Sequence, residues 1–513
     1  MITDTLRNIS ARLRLGDFPG AESIAAEALG ADPNNPELNA FAAFIALQLN
    51  KRQAAMRYAQ IAAFTGQARP TAQAANILAK LRVFDEAITA ARSINLADTS
   101  DPVVLDQAGA CFSACAEHHD AEMAYARLVE LFPNEPRCRF NLAAAQRYNG
   151  KLTDAAANFG LASSHGPQAS EAAYARSLLM KATAKKNHLD DLAARLSQPN
   201  LDAFALASLH YARGKELEDL GRWREAFAAW ADGASALRKA HAYNAQAELT
   251  AMEETAKTWP SARRPSATAS LTPVFVVSLP RAGSTLLDRI LSGLDNVESA
   301  GETEDFIVAL LQDDALTGLQ DPVDIARQTG KVDIEAVGER YRASMKRRGH
   351  SDGYVIDKTP TNFLYVGLIA ETLPEARFIH VERDPMDAAL ATFKTLFRDR
   401  YFWSYELDNI ARYFNAYAKL MAHWHRNWPD RMERLSYEDL VANTEDNALR
   451  LSQWLDLEWN PACLDFTNSK VGVSTASAEH VRQPIYSSSI GHWRNFKSEL
   501  AELEQKLTGK ASA

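Results

Sequence analysis

Residues 277–291, VSLPRAGSTLLDRIL, have the layout of a phosphate-binding loop that lacks its lysine. Set against G-x-x-x-x-G-K-[ST], Ser278 replaces the first glycine, Gly283 is kept, and Ser284 stands where the lysine belongs. In nucleoside triphosphatases that lysine reaches the β- and γ-phosphates and the next hydroxyl helps hold magnesium. The loop is therefore poorly equipped for magnesium–ATP chemistry, yet it still suits a single phosphate. Gly283 permits close approach, and the amides that open the following helix supply donors and a favourable dipole. Arg281 adds a charge, Ala282 completes the turn, and Ser284 and Thr285 add hydroxyls.

Further along, two cations each follow an apolar, β-branched run: Lys358 in YVIDKTP and Arg383 in RFIHVERDP. A carboxylate cluster, SAGETEDF, follows the loop's helix and includes Glu302. Glu304 and Asp305 are its rivals, and they also suit the cap of a helix opening at EDFIVALL. His423 and His425 in MAHWHRN lie two apart, so on a helix they face different directions, and no metal site is assigned to them. Cys111 and Cys115 are read as small packing residues.

These residues need elements to hold them. PVFVVSLP followed by STLLDRILSG reads as a buried strand, a glycine turn and a helix. YVID with TNFLYVGLIAETLP, and RFIHVE with DPMDAALATFKTLF, repeat the unit. That alternation predicts a parallel sheet covered by helices, an α/β domain over residues 271–513. Ligands of such sheets gather beyond the carboxyl ends of the strands, where Arg281, Lys358 and Arg383 all fall.

The first half has a different grammar. Residues 1–254 are alanine-rich at helical spacing, and a cue recurs at Ala21, Ala55, Ala87, Ala121, Ala155 and Ala226, with steps near 34 residues and room for about seven helix pairs. The best copy, LEDLGRWREAFAAWADGASAL, resembles the tetratricopeptide (TPR) repeat. Such stacks bury a continuous core and leave a concave face that binds peptides, or else act as a spacer or homodimer surface. Residues 255–270, rich in proline, serine and alanine, read as a linker.

The loop and its companions resemble PAPS-dependent sulfotransferases, nearest to bacterial TPR-sulfotransferase fusions and the tyrosylprotein sulfotransferases, over roughly residues 271–500. PAPS is 3′-phosphoadenosine-5′-phosphosulfate, and the resemblance implies it as co-substrate with no metal. It implies that the loop holds the 5′-phosphosulfate and that Arg383 takes the 3′-phosphate. The family's partner serine would fall at Ala391, leaving Thr392 or Lys394 to compensate. By the same resemblance Glu302 is the base, Lys358 bridges the leaving oxygen and the sulfuryl group, and Ser477 assists. Tyr437, Arg482 and Trp493 would contact or cover the nucleotide. The acceptor would be a hydroxyl, a protein tyrosine presented by the repeats being one candidate. A kinase-like enzyme, or a repeat scaffold with an inactive nucleotide-binding domain, are the competing readings.

Composition frames these expectations. The 513 residues are 47% hydrophobic and 24% charged with a formal charge of -9, a soluble globular balance that does not point to nucleic acid. Four cysteines and no long apolar run predict a cytoplasmic protein without a transmembrane segment.

Overall fold

The computed structural model describes residues 2–260, 270–398, 400–465, 485 and 487–509. Among these, the first 240 residues form seven helix pairs in sequence, from Ile2–Arg14 with Phe18–Ala31 to Ala203–Asp219 with Trp223–Ala240. The recurring alanine sits at one place in the motif: the fourth residue of the second helix in six of the pairs, as in Arg52–Ala63 and Trp223–Ala240. Ala21, Ala55, Ala87, Ala121, Ala155 and Ala226 are all fully buried. A methyl group is what fits where two helices cross closely, so the spacing read from sequence is a packing constraint.

The chain divides into two compact units, residues 1–172 and 173–513. In the first, the core is built largely from alanines with Leu78, Leu105, Phe112 and Leu128. Neighbouring pairs stack through their first helices, Pro36–Gln48 on Ala68–Lys80 and Ala68–Lys80 on Pro102–Ala114.

The second unit holds a five-stranded sheet: β1 (Leu271–Val277), β2 (Val297–Gly301), β3 (Gly353–Asp357), β4 (Arg377–Glu382) and β5 (Met432–Ser436). The order is β2-β3-β1-β4-β5 and every pairing is parallel. Side chains alternate across β1. Val274 and Val276 pack with Ile356, Ile379 and the helix Ser284–Leu291. Phe275 and Val277 face the opposite core with Phe378, Tyr341 and Trp424.

That second core reaches into the helical part of the chain. Tyr211, Trp230, Met252 and Trp259 belong to it, all nearly inaccessible. The helix Ala245–Thr258 runs through the first residues of the stretch expected as linker, and Trp259 donates through Nε1 to Thr329 Oγ1 at 3.1 Å. Residues 261–269 lie outside the described residues. No helix among the described residues is long and apolar enough to cross a membrane.

Candidate active site

Each of the five strands delivers a candidate residue just past its carboxyl end. The loop 278–283 follows β1, Glu302 follows β2, Lys358 follows β3, Arg383 follows β4 and Tyr437 follows β5. With all strands parallel, these residues gather at one edge of the sheet, and the order places central β1 between β3 and β4.

The loop turns through the left-handed region at Arg281 (φ 66°) and Gly283 (φ 102°). Gly283 caps the helix Ser284–Leu291, in which Ser284 and Thr285 are buried. A Cβ at Gly283 would collide with the ring of Tyr437, so glycine is required here by both φ and space. Ala282 is buried in the same turn. Ser278, the residue in place of the first glycine, is fully buried, and its hydroxyl has no hydrogen-bond partner among the described residues.

Glu302 and Lys358 meet directly. The Lys358 amide donates to Gly301 O at 3.0 Å, which fixes the ends of β2 and β3 side by side, and Lys358 Nζ donates to Glu302 Oε1 at 3.0 Å. The lysine is 1% exposed and the glutamate 38%, so the carboxylate is the reachable member of the pair. Its rivals are engaged elsewhere. Glu304 pairs with Arg400 at 2.6 Å, while Asp305 is buried against Ser344 and Arg348. The helix Asp305–Leu311 opens here, with Glu304 at its N-cap making no side-chain capping bond among the described residues.

Beneath Lys358 sit two buried acids that the sequence did not single out. Asp357 is held by Asn362 at 3.0 Å and by the Thr359 amide at 3.2 Å; burial nevertheless raises its carboxyl to about 7. Asp288, one turn into the loop's helix, is likewise pushed up by burial, against the opposing charge of Lys358.

Among the described residues, Arg383 meets Arg281, Ser489 and Tyr437. Its terminal nitrogens donate to Arg281 O at 2.8 Å and Ser489 O at 2.9 Å, and its guanidinium lies 4.9 Å from the Tyr437 ring centroid. Nε is buried without an acceptor, and Arg383 forms no ion pair among the described residues. Tyr437 closes the circuit through its hydroxyl, 3.1 Å from Ser489 Oγ.

The other expected contacts are distributed differently. Thr392 is fully buried and its hydroxyl donates to Pro280 O at 3.3 Å, supporting the loop from behind. Lys394 pairs with Glu218 at 2.6 Å. Trp493 is 8% exposed within the hydrophobic core, and its amide donates to Asp387 Oδ1 at 3.0 Å. Asp387 also receives the Gly491 amide at 2.5 Å, so one carboxylate pins the C-terminal segment to the helix Pro385–Phe393. Nothing in sequence linked Asp387, Ser489 or Glu218 to the site, because their partners are remote in the chain. Ser477 and Arg482 lie outside the described residues.

The two helix histidines do diverge. His423 Nε2 contacts Trp259 O at 2.8 Å, whereas His425 Nε2 lies 2.9 Å from His380 Nδ1. Glu382 completes a three-donor cluster with His380 and His425. The 2.9 Å spacing is that of an ordinary hydrogen bond, and Arg434 approaches Glu382 at 3.6 Å. A hydrogen-bonded pair accounts for the cluster, and we assign it no ion.

Comparison with known proteins follows these boundaries. Residues 273–461 match the sulfotransferase family. An uncharacterized protein of Aquifex aeolicus (strain VF5) is 28% identical over 243 residues, 46% of this chain and 32% of that protein. The omega-hydroxy-beta-dihydromenaquinone-9 sulfotransferase of Mycobacterium tuberculosis (strain CDC 1551 / Oshkosh) is 32% identical over 111 residues, 20% of this chain and 29% of that protein. A Caenorhabditis briggsae protein provisionally named a protein-tyrosine sulfotransferase is 24% identical over 240 residues, 44% of this chain and 82% of that protein. The chain thus spans about a third of the length of the first two relatives. The matched stretch, residues 273–461, carries the loop, Glu302, Lys358, Arg383 and Tyr437.

Proposed function

We propose that this protein transfers a sulfuryl group from PAPS to an acceptor hydroxyl. The observation that carries this reading is the pairing of two different sites on one sheet edge: a reachable carboxylate held by a buried lysine, and an arginine with no ion pair among the described residues, beside a phosphate-type loop. A guanidinium whose Nε is buried without an acceptor fits a phosphate, which accepts several charge-assisted hydrogen bonds at once. Arg383 would hold the 3′-phosphate, and the amides of residues 282–285 with Arg281 would hold the 5′ side. Tyr437 stacks between them. Lys394, already paired with Glu218, is not needed in that role.

The donor supplies a sulfuryl group bonded to a phosphate oxygen. Transfer forms an acceptor O–S bond and breaks that phosphate O–S bond. Glu302 removes the acceptor's proton, and Lys358, which now donates to Glu302, is placed to donate to the departing oxygen. Burying Lys358 to 1% exposure keeps its charge out of bulk water, where it would be screened.

The Mycobacterium relative is named for a hydroxylated menaquinone acceptor and the Caenorhabditis relative for protein tyrosine, so the common denominator is a hydroxyl. A protein acceptor, a cytoplasmic setting and peptide capture by the repeats belong to the same proposal. Calorimetry with PAP, the desulfated donor product, against ATP with magnesium tests it. Micromolar PAP binding with no ATP binding is expected; the reverse order would make the domain kinase-like. Incubating a bacterial extract with sulfur-labelled PAPS and the enzyme should then label a protein, polysaccharide or lipid fraction, and turnover should persist in EDTA.

A further inference from the structure

The matched region runs from residue 273 to 461, yet an acid paired with the helix that follows Arg383 and with the C-terminal segment lies outside it. Glu218 sits in the last turn of the helix Ala203–Asp219 and is 13% exposed. Its Oε1 accepts from Lys394 Nζ at 2.6 Å and from His492 Nε2 at 2.8 Å. Burial alone would raise this carboxyl, but the Lys394 ammonium and the hydrogen bonds with His492 and Lys394 overcome it and bring it down to about 2.

His492 stands one residue from each of two amides, Gly491 and Trp493, that Asp387 receives. Three residues before it, Ser489 receives Arg383 through its carbonyl and meets Tyr437 through its hydroxyl. Gly491 turns the chain in the left-handed region (φ 71°), which separates the Arg383-facing side of the segment from the Asp387-facing side. Trp223 packs edge-on against the His492 ring at 5.7 Å and against Phe496 at 5.6 Å. The segment 487–496 is therefore held at its far end by the helical part of the unit and at its near end by the two groups that flank the loop.

We infer that Glu218 is a positioning residue that fixes segment 487–496, and through Ser489 the guanidinium of Arg383, in the geometry that receives the donor's 3′-phosphate. This rests on the reading of Arg383 given above. The helical repeat then has a second role besides any acceptor binding: its last pair completes the donor site.

The test is PAP titration by calorimetry on the full chain, with thermal unfolding of each variant. Glu218→Ala should raise the Kd for PAP by about tenfold or more, as for loss of a charged hydrogen bond. Glu218→Gln, which keeps an oxygen for His492 and Lys394, should restore most of that affinity. His492→Ala should weaken PAP alike, and the double variant Glu218→Ala/His492→Ala should be no worse than either alone. His492→Ala with Glu218→Gln decides the matter if Glu218→Ala does not fold. Unchanged PAP affinity in folded variants overturns the inference. So does tighter binding in Glu218→Ala and Glu218→Gln together, which would mean the acid acts only by repelling the phosphate. A wild-type chain that does not bind PAP would instead sink the donor-site reading itself.

Discussion

Glu302 and Lys358 make one contact but have separable duties, and that separation can be measured. A base that takes only the acceptor proton matters in the transition state and hardly at all for donor binding. Glu302→Gln preserves shape and the bond to Lys358, so kcat should fall by about 10² to 10⁴ while PAP affinity and thermal unfolding stay near wild type. A variant keeping more than half its turnover would move the base elsewhere. Arg383 predicts the converse: Arg383→Ala should weaken PAP by roughly 1.5 to 3 kcal/mol and AMP, which lacks the 3′-phosphate, by less. Equal losses would show that Arg383 does not read that group. Legibility at this scale followed the chain. Arg281, Lys358 and Arg383 could be named because each follows an apolar run whose end is visible in sequence. Asp387, Ser489 and Glu218 could not, since Asp387 reaches Gly491 across 104 positions and Glu218 reaches His492 across 274.

Elements explain what else escaped the sequence. The three strands that read clearly, β1, β3 and β4, are the inner strands of the sheet, and each carries a buried run with β-branched residues. The two that did not, VESAG and MERLS, are the short edges, with more exposed positions along them, although Glu302 and Tyr437 depend on them. At the loop, Gly283→Ala would force a side chain into a left-handed φ and into Tyr437. It should destabilise the unit by about 1–3 kcal/mol and reduce PAP binding, which a denaturation curve with and without PAP would register. The strand–helix contact between His380 and His425 carries a pH signature. Burial, with neighbouring positive charge from Arg434 and for His380 the second imidazole, holds them down at about 3 and about 4, below the ordinary 6.5. The unfolded chain then binds more protons than the folded one below pH 6.5, so stability falls as pH drops from there toward 4, by at most about 1.4 kcal/mol per pH unit for each histidine. His425→Gln should flatten that loss when urea unfolding at pH 7 and pH 5 is compared with wild type. An identical loss in both proteins would mean that the pair is not the titrating element.

For the whole molecule, the change of grammar near residue 255 and the physical division of the chain are different things. Alanine-rich helices look alike in sequence whether they pack on each other or on a sheet, so the pattern runs unbroken to about 254 while the compact units part at 172/173. What the pattern hides is that Tyr211, Trp230, Met252 and Trp259 are core residues of the sheet-bearing unit. Tyr211 even donates its hydroxyl to Phe393 O at 3.0 Å, at the end of the helix that follows Arg383. Two truncations distinguish the boundaries. A chain starting at residue 173 keeps this core whole and should fold cooperatively, bind PAP near wild-type strength and show a PAP-dependent rise in Tm. A chain starting at 271, where the sheet begins, loses Tyr211, Trp230, Met252 and Trp259 and uncovers the apolar groups they shield. Deleting even one large buried aromatic costs roughly 3–5 kcal/mol, against a total of about 5–15 kcal/mol for an ordinary domain. That shorter chain should therefore be insoluble or unfolded by circular dichroism, and the fragment 1–172, with its own alanine-rich core, should give a helical spectrum without binding PAP. If the chain from 271 instead folds and binds PAP as tightly as the chain from 173, the last helix pairs are dispensable to the donor site, and the coupling through Glu218 loses its structural basis.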